Sequence, residues 1–338
     1  MTHRQHRPRS LVMRALQGAV ETLQSGGLVA FPTETVYGLG ADAENSTAVA
    51  RIFATKGRPA DHPLIVHLAN LDQITRWARD IPPAAWRLAR RYWPGPLTLI
   101  LHRTGRVPGI VTGGQDTVGL RVPDHPLALA LLEAFGGGIA APSANRFGRV
   151  SPTTAAHVRE ELGDALDRIL DGGPCRVGIE STILDLSGHQ PRLLRPGTIT
   201  LAEIEAVLQQ PIAQPGNDAP RAPGTLRAHY APNTPLRLVP ITDLEAEACW
   251  RLAQGQRIAV LSLSAILLPE VCLQQGMPIQ PSGWARELYA RLRALDTLCL
   301  DCILIEDPPS SADWQAVRDR LERAASAQGG PFRTPEDR

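Results

Sequence analysis

Residues 28–41 read LVAFPTETVYGLGA and indicate the fold class of the first part of the chain. The apolar start, residues 28–31, is typical of a short buried strand, and Pro32 ends it. The polar part that follows predicts a loop in which Gly38 and Gly40 permit tight turns. A polar loop directly after a short strand is where α/β sheets usually place their ligands.

Residues 11–209 repeat this arrangement several times. Apolar spacing predicts helices over 13–24, 47–53, 84–92, 127–135, 153–162 and 204–209. Short apolar runs predict strands over 64–68, 97–101, 118–122, 139–141, 181–186 and 192–194. Because strands and helices mix without a strict βαβ order, we expect an α/β domain on a mixed, twisted sheet.

Residues 210–235 contain six prolines and predict a linker. Beyond it, residues 236–328 carry predicted strands over 257–263 and 298–305 and predicted helices over 285–295 and 314–325. This order is typical of a smaller, Rossmann-like α/β domain at the C-terminal end. The segment lacks a GxGxxG motif, so we assign it no dinucleotide.

The composition fits a two-domain, soluble globular protein. The 338 residues are 43% hydrophobic and 20% charged. A net charge of +1 gives no overall electrostatic attraction for nucleic acid. No long apolar run follows the basic residues 3–9, so we expect neither a signal peptide nor a membrane span and place the chain in the cytoplasm.

The five cysteines are odd in number and widely spaced, which argues for a reducing compartment. Cys299 and Cys302 form a CxxC, but no second pair and no nearby histidine complete a zinc site. Because the pair lies in an apolar stretch, we expect buried structural thiols rather than metal or redox chemistry.

Lys56 is the only lysine among 35 basic residues. It lies two residues before Arg58, beside glycine and proline. An ammonium is a compact point charge, whereas a guanidinium is a planar fork. The pair suits an anion with several oxygens, such as a nucleotide polyphosphate. The alternative is a lysine left by chance on a solvated loop.

Three further polar loops carry candidate side chains. The hydroxyls of Thr33 and Thr35 can bind a small polar ligand, or they can bond only to their own turn. The loop of Lys56 and Arg58, described above, is followed by His62 and His67. His67 lies on a predicted strand, where a lone histidine is often structural.

The last two loops lie further along the chain. Ser143 and Asn145 offer a hydroxyl and an amide at alternate positions. Ser151 can cap the next helix, which would leave the first helical amides facing an anion. Arg195 ends an apolar strand, where a cation needs a partner.

Together these motifs are specific. Lys56-x-Arg58 and Ser143-x-Asn145, with FPTETVYGLGA, RVPDHP, APSAN, ESTI and LRPGT in this order, strongly resemble the YrdC-like threonylcarbamoyl-AMP synthases. The linker stretch APGTLRAHYAP and the second domain resemble the long, two-domain form of that family. The resemblance extends from about Leu16 to Ala325.

The resemblance implies a reaction of L-threonine, bicarbonate and ATP that yields threonylcarbamoyl-adenylate, pyrophosphate and water. The adenylate would feed N6-threonylcarbamoylation of adenosine 37 in tRNAs that read ANN codons, performed by a separate transferase complex. Lys56 and Arg58 would neutralise the triphosphate with the help of a Mg2+ ion that comes with ATP, and no protein-bound metal is expected.

The resemblance also divides the candidate residues between two substrates. The residues implied to hold the nucleotide, besides Lys56 and Arg58, are Thr117, Ser143, Asn145, Ser151, Arg195 and Tyr230. Those implied to surround the amino acid are Thr33, Thr35, His67, Arg121 and Ser181. Arg121 would bind the threonine carboxylate, because its fork matches two oxygens.

In the family the linker folds over the active site, so Tyr230 would contact the nucleotide as part of a lid. This chain has Leu226, Arg227 and Ala228 where other members often carry a basic–aromatic–basic run. The departure leaves the tightness of closure open. A linker that only joins two domains is the alternative.

Two other functions compete with this one. A non-catalytic RNA-binding or ribosome-maturation protein is conceivable because YrdC-like domains have a concave basic face, and weak RNA binding stays open. The near-neutral charge and the lack of a basic–aromatic stripe count against it. A carbamoyl-adenylate former of the hydrogenase-maturation type would carry zinc-finger and acylphosphatase modules, which are not visible here.

Overall fold

The computed structural model describes residues 9–216 and 218–327, which form a nine-stranded and a four-stranded sheet. The strands of the larger sheet are β1 (Val29–Phe31), β2 (Gly38–Asp42), β3 (Ile65–His67), β4 (Leu97–His102), β5 (Thr117–Arg121), β6 (Ile139–Ala140), β7 (Arg168–Ile169), β8 (Thr182–Asp185) and β9 (Arg192–Arg195). Their order is β7-β1-β2-β6-β3-β5-β4-β8-β9. The pairs β1–β7, β3–β5 and β4–β8 are parallel and the other five are antiparallel, which confirms the predicted mixed sheet.

Helices cover this sheet and bury a large apolar core against it. They are α1 (Arg9–Gln24), α2 (Ser46–Lys56), α3 (Ile74–Trp77), α4 (Pro83–Tyr92), α5 (Gly109–Thr112), α6 (Pro126–Phe135), α7 (Ala155–Leu162) and α8 (Leu201–Leu208). The helices predicted from apolar spacing are all present, with ends displaced by a few residues.

The prediction of tight turns at Gly38 and Gly40 was wrong. Both glycines lie in β2, which pairs antiparallel with β1, Phe31 opposite Gly38. A Cβ on Gly40 would come within 2.8 Å of both the Phe31 ring and the Ile139 side chain. Glycine is therefore required here for close packing of strands and not for a turn.

Helix α2 also differs from the prediction, because it runs to Lys56 and includes it. The Asn45 side chain caps its start by accepting the amides of Thr47 and Ala48. Gly57 ends it in the left-handed conformation with φ 62°. Lys56 is thus held on the last helical turn and not on a solvated loop.

The C-terminal domain is built on the smaller sheet. Its elements are β10 (Leu236–Val239), α9 (Ile241–Ala253), β11 (Ile258–Ser262), β12 (Leu273–Gly276), α10 (Pro281–Asp296), β13 (Cys302–Glu306) and α11 (Gln315–Ser326). The strand order is β10-β13-β11-β12, and all three pairs are parallel. This confirms the predicted smaller α/β domain.

Three elements of this domain, β10, α9 and β12, were not predicted. Strand β12 is mostly exposed and reads LQQG, so it gives no apolar signal. The prediction for the CxxC was half wrong: Cys302 is buried on β13, but Cys299 is exposed, with a positive φ of 51°. The turn that precedes β13 pushes Cys299 out of the core.

A second apolar cluster joins the two domains. It combines Val36, Val150 and Ile179 of the larger domain with residues of α10 and α11 and with Tyr230 of the linker. Within the part of the chain that the structure describes, no helix is both long and apolar enough to cross a membrane.

Candidate functional site

A cleft lies where the ends of several strands of the larger sheet meet the linker. Its polar walls come from the loop after β1, from β3, β5 and β9, and from the loops before β8 and after β6. Pro223, Gly224, His229 and Tyr230 of the linker cover it. The side chains that line it include Thr33, Thr35, Arg58, His67, Arg121, Ser143, Glu180, Ser181, Arg195 and Tyr230. Nine of these ten were singled out by the sequence, and Glu180 was not.

The threonine candidates form one bonded group. The Thr33 and Thr35 hydroxyls lie 2.8 Å apart, and Arg121 Nη2 donates to Thr35 Oγ1 at 2.9 Å. Arg121 Nη2 also lies 2.7 Å from Glu34 Oε1, and both side chains are almost completely buried. Arg121 therefore already has a carboxylate partner within the chain, which sequence reasoning missed. That pair fixes the orientation of the guanidinium at the cleft.

His67 is a neutral imidazole in this wall. Burial, and then the Arg121 cation, lower its pKa to about 3. Its Nδ1 is buried and has no hydrogen-bond partner among the described residues. The ring packs at right angles against Phe31, with centroids 5.9 Å apart. A neutral histidine facing the cleft can exchange a hydrogen bond with a ligand at physiological pH.

Ser181 connects the two ends of the cleft. Its hydroxyl lies 2.8 Å from that of Thr98 and accepts from Arg195 Nη2 at 3.2 Å. Arg195 further donates to the Ser181 carbonyl and, at 2.9 Å, to the carbonyl of Pro223 in the linker. The partner that an arginine at this strand end needs is thus largely backbone carbonyl oxygen.

Lys56 lies beneath the loop after β6 and is not among the side chains that line the cleft. Its Nζ donates to the carbonyls of Ser143 (2.6 Å) and Asn145. Burial, and then the neighbouring Arg58 cation, lower its pKa well below the usual value. Lys56 Nζ thus fixes the Ser143-x-Asn145 loop by donating to two of its carbonyls.

Arg58 lines this end of the cleft, whereas Asn145 lies on the adjoining loop and is not among the lining residues. Arg58 Nη2 donates to the Pro63 carbonyl at 2.9 Å, and burial lowers the pKa of Arg58 to about 10, so it stays a cation at neutral pH. Its guanidinium carbon lies 5.6 Å from the centre of the Phe147 ring. Asn145 donates through Nδ2 to two carbonyls, while its buried Oδ1 has no partner among the described residues.

Two predicted residues behave differently. Ser151 does not cap a helix: Thr154 caps α7, and Ser151 Oγ donates to Glu180 Oε1 at 2.5 Å. The helix starts later because Pro152 and Thr153 extend the loop. Thr117, at the start of β5, lines a neighbouring cavity with Gln115 and Arg221, so the structure does not bring it together with the other nucleotide candidates.

Comparison with known proteins identifies the family of the chain. Residues 21–197 match the family model described as telomere recombination, and residues 199–326 match that of the threonylcarbamoyl-AMP synthase C-terminal domain. The threonylcarbamoyl-AMP synthase of Pyrococcus abyssi is 42% identical over 90% of this chain and 92% of its own length. That of Bacillus subtilis is 41% identical over 92% of each.

A solved structure supports the same relationship. The crystal structure of P. abyssi Sua5 complexed with L-threonine has a TM-score of 0.87 and 40% sequence identity, and the match covers 94% of this chain and 96% of that one. The likeness includes both domains, because the match spans nearly the whole of each chain. The chain therefore belongs to the threonylcarbamoyl-AMP synthase family, in its long, two-domain form.

Proposed function

We propose that this chain converts L-threonine, bicarbonate and ATP into threonylcarbamoyl-adenylate, pyrophosphate and water. The observation that carries the proposal is the meeting of two polar groups in one cleft. Hydroxyls around Arg121 form one group, and Arg58 and Arg195, which line the cleft with Ser143, form the other. The product would serve N6-threonylcarbamoylation of tRNA adenosine 37, carried out by a separate transferase complex, and the cytoplasm is the proposed location.

The bonded group would bind threonine. Arg121 would donate hydrogen bonds to the threonine carboxylate while its pair with Glu34 fixes the guanidinium. Thr33, Thr35 and Ser181 offer hydroxyls for the other polar atoms of the amino acid. His67, held neutral by burial, would bond to the amine or hydroxyl without repelling an ammonium. Positioning of this kind suits a reaction that needs no protein nucleophile.

The bond changes follow from the substrates. The threonine amine adds to the carbon of bicarbonate or CO2 and loses a proton, which gives a carbamate, with water released when bicarbonate is used. A carbamate oxygen then attacks the α-phosphorus of ATP, and pyrophosphate leaves with the electron pair of the broken P–O bond. Lys56, Arg58 and Arg195 would stabilise the negative charge that develops on the phosphate oxygens.

Ser143, Asn145 and Ser151 would hold the nucleotide beside these cations, as would Tyr230 of the linker. The Tyr230 hydroxyl, in the cleft lining, and the Asn145 Oδ1, on the adjoining loop, are buried and have no partner among the described residues, which is costly unless a ligand bonds to them. Mg2+ would arrive with ATP and neutralise phosphate charge. Glu180 is the one carboxylate among the described lining residues, and its oxygens are already hydrogen-bonded, so phosphate oxygens and water suit this ion better.

We also propose the division of the chain into a catalytic domain (11–209), a linker that acts as a lid (210–235) and a C-terminal domain (236–328). Weak binding of RNA would be compatible with the proposed synthase activity. A non-catalytic RNA-binding role would be favoured only by a steep salt dependence of RNA binding together with no turnover of ATP.

The test is pyrophosphate release from ATP, with L-threonine and bicarbonate each added or omitted. We expect release only when both are present, and little release when serine replaces threonine. Release without threonine would point to another adenylate-forming reaction. No release under any condition would shift the weight to RNA binding.

A further inference from the structure

Helix α11 of the C-terminal domain reaches a wall of the cleft through Arg320. This side chain is fully buried. Its Nε donates to Glu180 Oε2 at 2.9 Å, and its Nη2 donates to the Glu180 carbonyl at 3.3 Å. Its Nη1 donates to Asp319 at 2.6 Å. An arginine of the second domain thus holds a carboxylate of the first at the edge of the substrate cleft.

Glu180 is shared by three donors from different parts of the chain. Besides Arg320, it accepts from Ser151 Oγ at 2.5 Å and from the Tyr289 hydroxyl of α10 at 2.9 Å. Burial raises the pKa of Glu180, but Arg320, Arg195 and the bond from Ser151 outweigh it and lower the pKa to about 2. A buried ionised carboxylate of this kind is stable only while all its partners stay in place.

Tyr230 of the linker rests on the same cluster. Its ring stacks on that of Tyr289, with centroids 5.9 Å apart and planes 25° apart. The Arg320 guanidinium carbon lies 5.2 Å from the ring centre. The hydroxyl of Tyr230 has no partner among the described residues and lies against Gly224, where a Cβ would come within 2.0 Å of it. The C-terminal domain therefore sets where this ring stands in the cleft.

A second arginine of α11, Arg323, binds backbone groups of the linker. Arg323 Nη1 donates to the carbonyls of Thr225 (2.8 Å) and Leu226 (2.5 Å), and the Arg323 carbonyl accepts from the His229 amide at 3.3 Å. Asp319 holds the Arg323 guanidinium by Nε at 2.9 Å. These contacts use no linker side chain.

We propose that α11 holds the lid closed over the cleft, and we call this helix the latch. Its residues Arg320 and Arg323 are positioning residues that hold residues 222–231, here called the lid segment, over the nucleotide end of the cleft. Arg323 binds the lid segment by its carbonyls, so closure does not depend on the side chains at Leu226, Arg227 and Ala228. The inference rests on the proposed function only for its kinetic readout.

The principal test uses Arg323→Gln, because this side chain is partly exposed and its loss leaves no buried charge. The matched control is Arg318→Gln on the same helix, whose guanidinium pairs with Asp307 and Glu322 instead of the lid segment. Tryptic cleavage after the exposed Arg227 is followed by mass spectrometry, with and without ATP, beside the thermal midpoint of each variant.

In Arg323→Gln we expect cleavage after Arg227 to become roughly tenfold faster and the KM for ATP to rise by a similar factor, as for a lost charged hydrogen bond. The KM for threonine and the thermal midpoint should change little. Arg323→Lys, which can bind one carbonyl, should lie between the two. Arg318→Gln should behave as the wild type.

Arg320→Lys tests the buried half of the latch. It keeps a cation beside Glu180 but loses the fork and the stacking on Tyr230. We expect the same rise in the KM for ATP and the same faster cleavage after Arg227. Wild-type cleavage and wild-type ATP KM in both Arg323→Gln and Arg320→Lys would overturn the latch. A wild-type chain without any turnover would contradict the proposed function instead, and the cleavage readout would still decide the latch.

Discussion

The two sides of the cleft are held in different ways. One side is formed by Thr33, Thr35, His67, Arg121 and Ser181 and belongs to the larger sheet and its loops. Thr33, Thr35 and Arg121 bond to one another, and Ser181 bonds to Thr98 of β4. We call this side the sheet wall. The other, formed by Gly224, His229 and Tyr230, belongs to the linker and rests on α10 and α11 of the second domain; we call it the lid wall.

The difference shows what each part of the chain contributes. The sheet wall is complete within one domain, so its geometry is preorganised before any ligand binds. The lid wall is held by the C-terminal domain through a few hydrogen bonds and the stacking of Tyr230 on Tyr289. It can therefore open while both domains stay folded. Changes to the sheet wall should therefore alter threonine binding and chemistry, and changes to the lid wall should alter nucleotide retention.

The largest effect is expected at Lys56, under the sheet side of the nucleotide site. Lys56→Ala should lower kcat/KM for ATP by about a thousandfold, the scale of a lost electrostatic stabiliser. Lys56→Arg should not restore it, because a planar fork cannot fit between the Ser143 and Asn145 carbonyls as the ammonium does. Pyrophosphate release and circular dichroism would be measured for both variants, and full activity in Lys56→Arg would refute the need for an ammonium.

The next effect tests whether the sheet wall is specific for the amino acid. Arg121→Lys should raise the KM for threonine by about 10- to 100-fold, because one ammonium cannot serve Glu34, Thr35 and a substrate carboxylate together. The KM for ATP should stay nearly constant. Arg176→Lys, in an exposed pair with Asp124, is the matched control. Equal rises in both KM values would mean that the two walls do not act separately.

A smaller effect is expected from the lid wall. Tyr230→Ala should raise the KM for ATP about fivefold, since a stacked ring contributes on the order of 1 kcal/mol. It should leave threonine binding nearly unchanged. Tyr230→Phe should fold with normal stability, because its hydroxyl has no partner among the described residues. ATP affinity by calorimetry decides: an unchanged affinity in Tyr230→Ala would reduce the linker to a tether.

The same division explains how far the sequence predicts this molecule. Local signals were sufficient for most of the larger domain, since helices α4 and α6 and strands β4 and β5 are each defined by their own apolar spacing. The longer helix α2 could also have been predicted, because Asn45 and Gly57 are visible as its caps. The exposed edge strand β12 could not, because it carries no apolar pattern.

The site divides in the same manner. Short motifs predicted the residues that line the cleft, because they lie in loops directly after strands. They did not predict what those residues bond to. The Arg121–Glu34 pair joins positions 87 apart, and the Arg320–Glu180 pair joins positions 140 apart, so no local pattern reports either of them. Buried ion pairs are set by the tertiary fold and not by spacing.

The last prediction compares the two walls by how the free energy of unfolding falls in acid. At neutral pH the protonation of the two histidines concerned makes no difference to this free energy. Burial lowers the pKa of His67 in the sheet wall and of His229 in the lid wall to about 3, from an ordinary 6.5. Between pH 6.5 and 3 the unfolded chain binds a proton at each position and the folded chain does not. Stability is therefore fully present above pH 6.5 and is lost as the pH falls, by up to about 1.4 kcal/mol per pH unit for each histidine.

The two histidines should nevertheless respond differently. His67 can gain its proton only when the sheet wall unfolds, whereas His229 can gain one when the lid segment opens. His67→Asn should therefore flatten the fall of the free energy of unfolding with acid more than His229→Asn does, with the exposed His189→Asn as control. Urea unfolding between pH 7.5 and 5 measures these slopes. Equal flattening in both variants would mean that the lid wall is as firmly held as the sheet wall.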